Sequence, residues 1–125
     1  MLNKTPRRLL KEIVLIDDGS DAAWTKDPLY QYLKLLPKII FKRMEKRNGL
    51  MTTRTEGARI ATGDVVTFLD AHIEVNDGWA EPLLHRIKED RKHIVMPIID
   101  SIDPDMFAYR PGGLDILAFS WSLGQ

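Results

Sequence analysis

The chain has 125 residues, 44% of them hydrophobic and 29% charged, which is enough for one ordinary globular domain at most. No run reaches the ~18 apolar residues of a membrane helix, and the first residues lack the apolar core of a signal peptide. The absence of cysteine excludes disulfides, thiolate zinc and a cysteine nucleophile without naming a compartment, and 18 basic and 18 acidic residues cancel, so bulk charge points to neither nucleic acid nor membrane.

The sequence Glu12-Ile-Val-Leu-Ile-Asp17 predicts a strand. Its continuous apolar character suits a parallel sheet buried on both faces. Asp17-Asp18-Gly19-Ser20-Asp21 stops it with turn chemistry. Asp27-Pro28 predicts a helix start, with Asp27 as N-cap. Leu29, Tyr32, Leu33 and Leu36 follow at helical spacing until Pro37. Residues 38–41 predict a second strand, Arg47-Asn48-Gly49 a turn, and residues 50–62 a helix capped by Gly63. Residues 65–70, Val-Val-Thr-Phe-Leu-Asp, carry the strongest strand signal in the chain. A helix is expected over 79–91, with Pro82 in its first turn and Leu83, Leu84 and Ile87 on its apolar stripe. Residues 94–99 predict a fourth strand, edge or bulged because Pro97 donates nothing to a ladder. Beyond Asp100 the chain is rich in Pro and Gly, with a last apolar stretch at 116–121. This alternation predicts an open α/β sheet of mostly parallel strands, which binds ligands at the carboxyl ends of its strands.

Two acidic sequences close predicted strands. In an extended chain Asp70 and His72 point the same way, about 6.5–7 Å apart at Cα. An oxygen and a nitrogen converging there suit a hard to borderline divalent ion such as Mn²⁺ or Mg²⁺, with Glu74 available as a supporting group. The alternative is a strand-terminal Asp capping a turn beside a solvated His. Asp18 is able to accept hydrogen bonds from a nucleobase or ribose, or simply to make the turn; Asp17 reads as the turn cap. Arg47, ahead of a helix, favours an anion, or belongs to a solvated basic cluster with Arg43, Lys46, Arg54 and Arg59. Residues 1–62 hold 13 Lys/Arg against 7 Asp/Glu, and residues 63–125 hold 5 against 11. That split suits phosphates on one half and a metal on the other, or is uneven surface charge. His85 and His93 read as surface residues, and Trp24, Trp79 and Trp121 as packing residues. The Gly-x-Gly-x-x-Gly dinucleotide fingerprint is absent after the first strand.

The ordered series Leu9-Leu-Lys-Glu-Ile-Val-Leu-Ile-Asp-Asp18, Arg47-Asn-Gly-Leu50, Thr67-Phe-Leu-Asp-Ala-His72, Asn76-Asp-Gly-Trp-Ala-Glu-Pro-Leu-Leu84, Glu89-Asp-Arg91 and Pro97-Ile-Ile-Asp100 resembles the polypeptide N-acetylgalactosaminyltransferases. Gly112-Gly113-Leu-Asp115 continues the order. The resemblance implies a GT-A fold, a Rossmann-like nucleotide-sugar-binding sheet with flanking helices. Here it is incomplete: residues 1–125 correspond to part of the catalytic domain, without the lectin domain or membrane anchor. It implies transfer of GalNAc from UDP-GalNAc to Ser or Thr of a polypeptide, with retention, in the Golgi lumen. Asp70 and His72 resemble Mn²⁺ ligands, and Asp18, Arg47 and Ala71 resemble groups that contact the nucleotide-sugar. No residue is singled out as the proton acceptor. The expected partners are a polypeptide acceptor and a UDP-sugar, with no nucleic acid. Departures from the family pattern include Ile73 and Met96 at positions usually cysteine and Asn48 at a usual Glu. The family's third metal ligand, a His, lies beyond Trp121, so little activity is expected of these residues alone. The competing expectations are a truncated homologue that binds UDP, metal or a partner without catalysis, and a GT-A transferase with another acceptor.

Overall fold

A computed structural model of the chain describes residues 1–113. Two compact units divide the chain, Met1–Ala80 and Glu81 onward.

In the first unit, β1 (Ile13–Asp17) leads through a 3₁₀ turn at Ala23–Thr25 and helix α1 (Asp27–Leu33) to β2 (Ile39–Arg43), followed by α2 (Leu50–Ile60). β1 and β2 pair in parallel, with Ile13 opposite Ile39 and Asp17 opposite Arg43. This is the strand–helix–strand crossover that the alternation predicted. At the amino ends of the strands the Ile13 N–H donates to the Lys38 carbonyl at 2.8 Å. The Lys38 ammonium reaches back to the carbonyls of Arg7 and Leu10. α2 lies against β1: a Cβ on Gly57 would sit 3.4 Å from the Ile16 side chain. Lys42 on β2 pairs with Glu56 on α2 at 2.6 Å.

Buried apolar side chains among the described residues are Leu33, Val75 and Ala80. Three threonines are also buried, each with a partner. Thr5 accepts from the Trp79 indole at 2.9 Å, Thr25 donates to the Ala22 carbonyl, and Thr53 donates to the Leu50 carbonyl. Trp79 is thus a packing residue, whereas Trp24 is 72% exposed.

Several predicted boundaries shift. α1 stops at Leu33, and Lys26 rather than Asp27 is its N-cap, so the Asp carboxylate sits inside the first turn. α2 ends at Ile60 with Ala61, not Gly63, as its C-cap. Larger corrections concern the last two predicted strands. Residues 65–70 and 94–99 join no ladder. Both have strand-forming residues, but a strand exists only through its neighbour, and among the described residues none pairs with either run. Their side chains are correspondingly open: Phe68 is 53% exposed and Ile94 fully exposed.

In the second unit, residues 81–89 complete helix α3 (Ala80–Glu89), with Pro82 in its first turn as expected. A two-residue antiparallel pair, β3 (Ser101–Ile102) and β4 (Tyr109–Arg110), lies in the Pro- and Gly-rich stretch beyond Asp100, where no element was predicted. Asp103 makes its turn, accepting from the Asp105 and Met106 N–H groups at 3.0 and 2.9 Å and pairing with Arg110. These contacts, led by the Met106 N–H, hold its carboxyl below the usual range. His85 and His93 are exposed, as expected. The apolar stretch at 116–121, Trp121 included, lies outside the described residues.

Candidate nucleotide-sugar site

The carboxyl ends of β1 and β2 stand side by side, and the loops leaving them are knitted together. The Met44 N–H donates to the Asp17 carbonyl at 2.8 Å, carrying the parallel ladder one step past β2. Asp17 makes the expected turn: its carboxylate accepts the Ser20 N–H at 2.9 Å and the Arg43 guanidinium at 2.7 Å. Its side chain is only 8% exposed. Burial pushes its carboxyl up, but the hydrogen bonds from Ser20 and Arg43, and the Arg43 charge, outweigh burial and hold it below the ordinary range. Arg43 also donates to the Thr25 carbonyl, tying the 3₁₀ turn to the strand ends.

Asp18 faces the other loop. Its two carboxylate oxygens accept the Asn48 N–H at 2.7 Å and the Gly49 N–H at 2.8 Å. Gly49 precedes α2 with φ +86°, a conformation that favours glycine. Arg47, one residue before this pair, is exposed. The sequence-predicted Asp18 and Arg47 are therefore brought to one edge of the sheet, 29 positions apart in the chain. A shallow hollow of about 260 Å³ lies along β1 at this edge, lined in part by Leu15, Asp17, Asp18, Ser20, Thr25 and Phe41. A second hollow of about 280 Å³ includes Leu10, Pro37 and Lys38, at the amino ends of the strands, where no acidic group lines it. Asp17 and Asp18 thus line the smaller hollow.

Asp70, Ala71 and His72 are all exposed, and Ala71 and His72 form a turn. The extended geometry expected of Asp70 and His72 is therefore not present. Asp70 instead receives the Arg54 guanidinium, from the second turn of α2, at 2.8 Å. Its side chain is 52% exposed and that of Arg54 is 41%, so this is a weak, solvent-screened pair. No sequence signal marks it, because Arg54 and Asp70 lie 16 residues apart on different elements. α2 links the whole edge: its N-terminus abuts the Asp18-held loop and its second turn reaches Asp70.

A carboxylate and an imidazole suit Mn²⁺ or Mg²⁺ by donor chemistry. Among the described residues, however, no group of three or more His, Cys, Asp or Glu side chains gathers to hold an ion. The donor chemistry of Asp70 and His72 suits such an ion, while in this structure the Asp70 carboxylate meets Arg54.

The glycosyl transferase family 2 model matches residues 2–123. Polypeptide N-acetylgalactosaminyltransferase 10 of Homo sapiens is 49% identical over 125 residues, covering 98% of this chain and 21% of the human protein. Polypeptide N-acetylgalactosaminyltransferase 3 of Drosophila melanogaster is 54% identical over 126 residues, covering 98% of this chain and 19% of the fly protein. The chain therefore spans about a fifth of the length of these relatives. Among solved structures, the crystal structure of GalNAc-T7 with UDP, GalNAc and Mn²⁺ matches with a TM-score of 0.87 at 38% identity, covering 98% of this chain and 24% of that one. The expected GT-A architecture is thereby found in part, with β1, α1, β2 and α2 as its recognisable supersecondary unit. With a family match running almost from end to end, over a parallel strand pair whose carboxyl ends bring Asp18 and Arg47 together, the chain belongs to glycosyl transferase family 2.

Proposed function

We propose that this chain carries the nucleotide-sugar-binding edge of a polypeptide N-acetylgalactosaminyltransferase, which moves GalNAc from UDP-GalNAc to a Ser or Thr hydroxyl with retention and so initiates mucin-type O-glycosylation in the Golgi lumen. The observation that carries the reading is the meeting of Asp18 with the Arg47–Gly49 loop at the carboxyl ends of β1 and β2. It is supported by the identity to two such transferases along nearly the whole chain.

Arg47 is exposed at the start of α2, where a guanidinium and the helix N-terminus both favour a diphosphate. Asp18 borders the nucleotide, and the Ala71 backbone meets the sugar nucleotide beside Asp70. Asp70 and His72 would hold Mn²⁺, the Asp70 carboxylate then being turned from Arg54 to the ion. When bound, a divalent ion neutralises charge that develops on the diphosphate as the sugar–phosphate bond breaks.

A second reading is UDP or metal binding without transfer. It is favoured by the Arg54–Asp70 pair and by the lack, among the described residues, of a group of three or more side chains able to hold an ion. UDP-GalNAc turnover on a Thr-rich peptide, with and without Mn²⁺ and against other UDP-sugars, is to be run beside ligand-observed NMR of UDP and GDP. The proposal expects UDP to bind in preference to GDP, with any transfer restricted to GalNAc. Binding with no transfer selects the second reading. A chain that takes UDP no better than GDP contradicts the proposal and leaves only the metal-binding form of the second reading.

A further inference from the structure

Asp18 spends its charge on the protein's own backbone. Each of its oxygens accepts a main-chain N–H, from Asn48 at 2.7 Å and Gly49 at 2.8 Å, across 30 and 31 positions of sequence. The next residue reinforces the contact by its lack of a side chain. Gly19 has φ +70°, and a Cβ there would lie 3.0 Å from the Arg47 nitrogen and 3.1 Å from the Lys46 carbonyl carbon. Two independent observations, a pair of charge-assisted hydrogen bonds to Asn48 and Gly49 and a tight backbone approach to Lys46 and Arg47 at a positive-φ glycine, therefore converge on the 46–49 loop.

We propose that Asp18 and Gly19 are positioning residues: they clasp the 46–49 loop to the end of β1 and thereby set where Arg47 leaves the backbone and where α2 begins. Their influence on ligand binding runs through Arg47. This rests on the reading of Arg47 as a group that meets a nucleoside diphosphate, but the clasp itself does not.

The physical alternatives differ in what they predict. A carboxylate that only recognises a nucleoside leaves the Asn48 and Gly49 amides indifferent to its removal, and its loss adds to the loss of Arg47. A clasp makes those two amides depend on it and makes the two losses overlap. Losing charge-assisted hydrogen bonds of this kind corresponds to about a 10-fold effect or more on exchange or affinity.

The test uses the whole chain in four forms: unaltered, Asp18→Ala, Arg47→Ala and the double variant, with Gly19→Ala as an independent disruption of the same clasp. Amide exchange by NMR is read at Asn48 and Gly49, with the β1–β2 ladder amides reporting that the fold is intact. UDP affinity in Mn²⁺ is read in parallel. Asp18→Ala and Gly19→Ala are each expected to speed exchange at Asn48 and Gly49 while the ladder stays protected. Asp18→Ala is expected to weaken UDP, and the double variant to bind no worse than Arg47→Ala. Unchanged exchange at both amides in Asp18→Ala overturns the clasp. If Asp18→Ala unfolds the chain, the Gly19→Ala exchange decides in its place. Altered exchange with fully additive UDP losses overturns the action through Arg47. An unaltered chain that fails to bind UDP contradicts the proposed function and the action through Arg47 together, while the amides still decide the clasp.

Discussion

Asp17 shows how competing local effects resolve at one residue. Burial alone would raise its carboxyl, yet Ser20 and Arg43 lower it. Because the folded value is the lower one, the stabilisation is complete above the unfolded carboxylate value of about 3.9 and is lost as pH falls through the folded value. Asp17→Asn is expected to cost about 1–3 kcal/mol in urea denaturation at neutral pH, since a nearly buried partner of Arg43 loses its charge. The same variant flattens the acid limb of stability below about pH 4. Asp17 as turn cap was legible from its place between a strand and Gly19-Ser20. The clasp made by Asp18 was not, because its partners are backbone groups that carry no sequence signature. Neither was the Arg54–Asp70 pair, whose members look like separate surface charges until α2 brings them together.

At the scale of elements, α2 is informative because its residues 52–56 are all polar or charged, so apolar patterning is a poor guide to it. It is nevertheless a helix, with buried Thr53 returning its hydroxyl to the preceding carbonyls at 2.9 and 3.1 Å. Two glycines at this helix predict opposite outcomes. Gly57 lies inside it in ordinary helical backbone, and a Cβ would meet only the Ile16 side chain at 3.4 Å. Gly57→Ala is therefore expected to stabilise by about 0.5–1 kcal/mol through helix propensity. Gly49 has open space around it but φ +86°. Gly49→Ala is expected to destabilise by about 1–2 kcal/mol through backbone strain. Urea midpoints of the two variants check both signs. Sequence patterning located the parallel pair and helices α1, α2 and α3 to within a few residues, because each is defined largely by its own side chains and local stops. It overreached at 65–70 and 94–99, because strand propensity says nothing of whether a partner exists.

On the scale of the whole molecule, the burial pattern sets the expected behaviour in solution. Only Leu33, Val75 and Ala80 are buried apolar residues among the described ones, while Ile94, Ile99, Met106 and Phe107 are each more than 70% exposed. Open apolar side chains on this scale favour association and dye binding. The chain is expected to enhance the fluorescence of an apolar-surface dye and to sediment with a concentration-dependent mass; a dye-silent, strictly monomeric chain would contradict this burial pattern. Fold class was legible at this scale because the alternation of apolar runs and helical stretches survives in β1, α1, β2 and α2. Basic Arg47 precedes α2 and acidic Asp70 pairs with Arg54 in its second turn, so residues from the basic and the acidic halves of the sequence both lie near the start of one helix. The central claim is that Asp70 and His72 hold the ion on which nucleotide binding depends. The most direct measurement is the UDP affinity of the unaltered chain and of the Asp70→Ala/His72→Ala variant, each in Mn²⁺ and in chelator. The account predicts that chelation weakens UDP by about 10–100-fold or more in the unaltered chain, at least the range that loss of a supporting group alone produces. It predicts no further effect of chelation in the variant. Equal affinity with and without Mn²⁺, or a Mn²⁺ dependence that survives both substitutions, would contradict it.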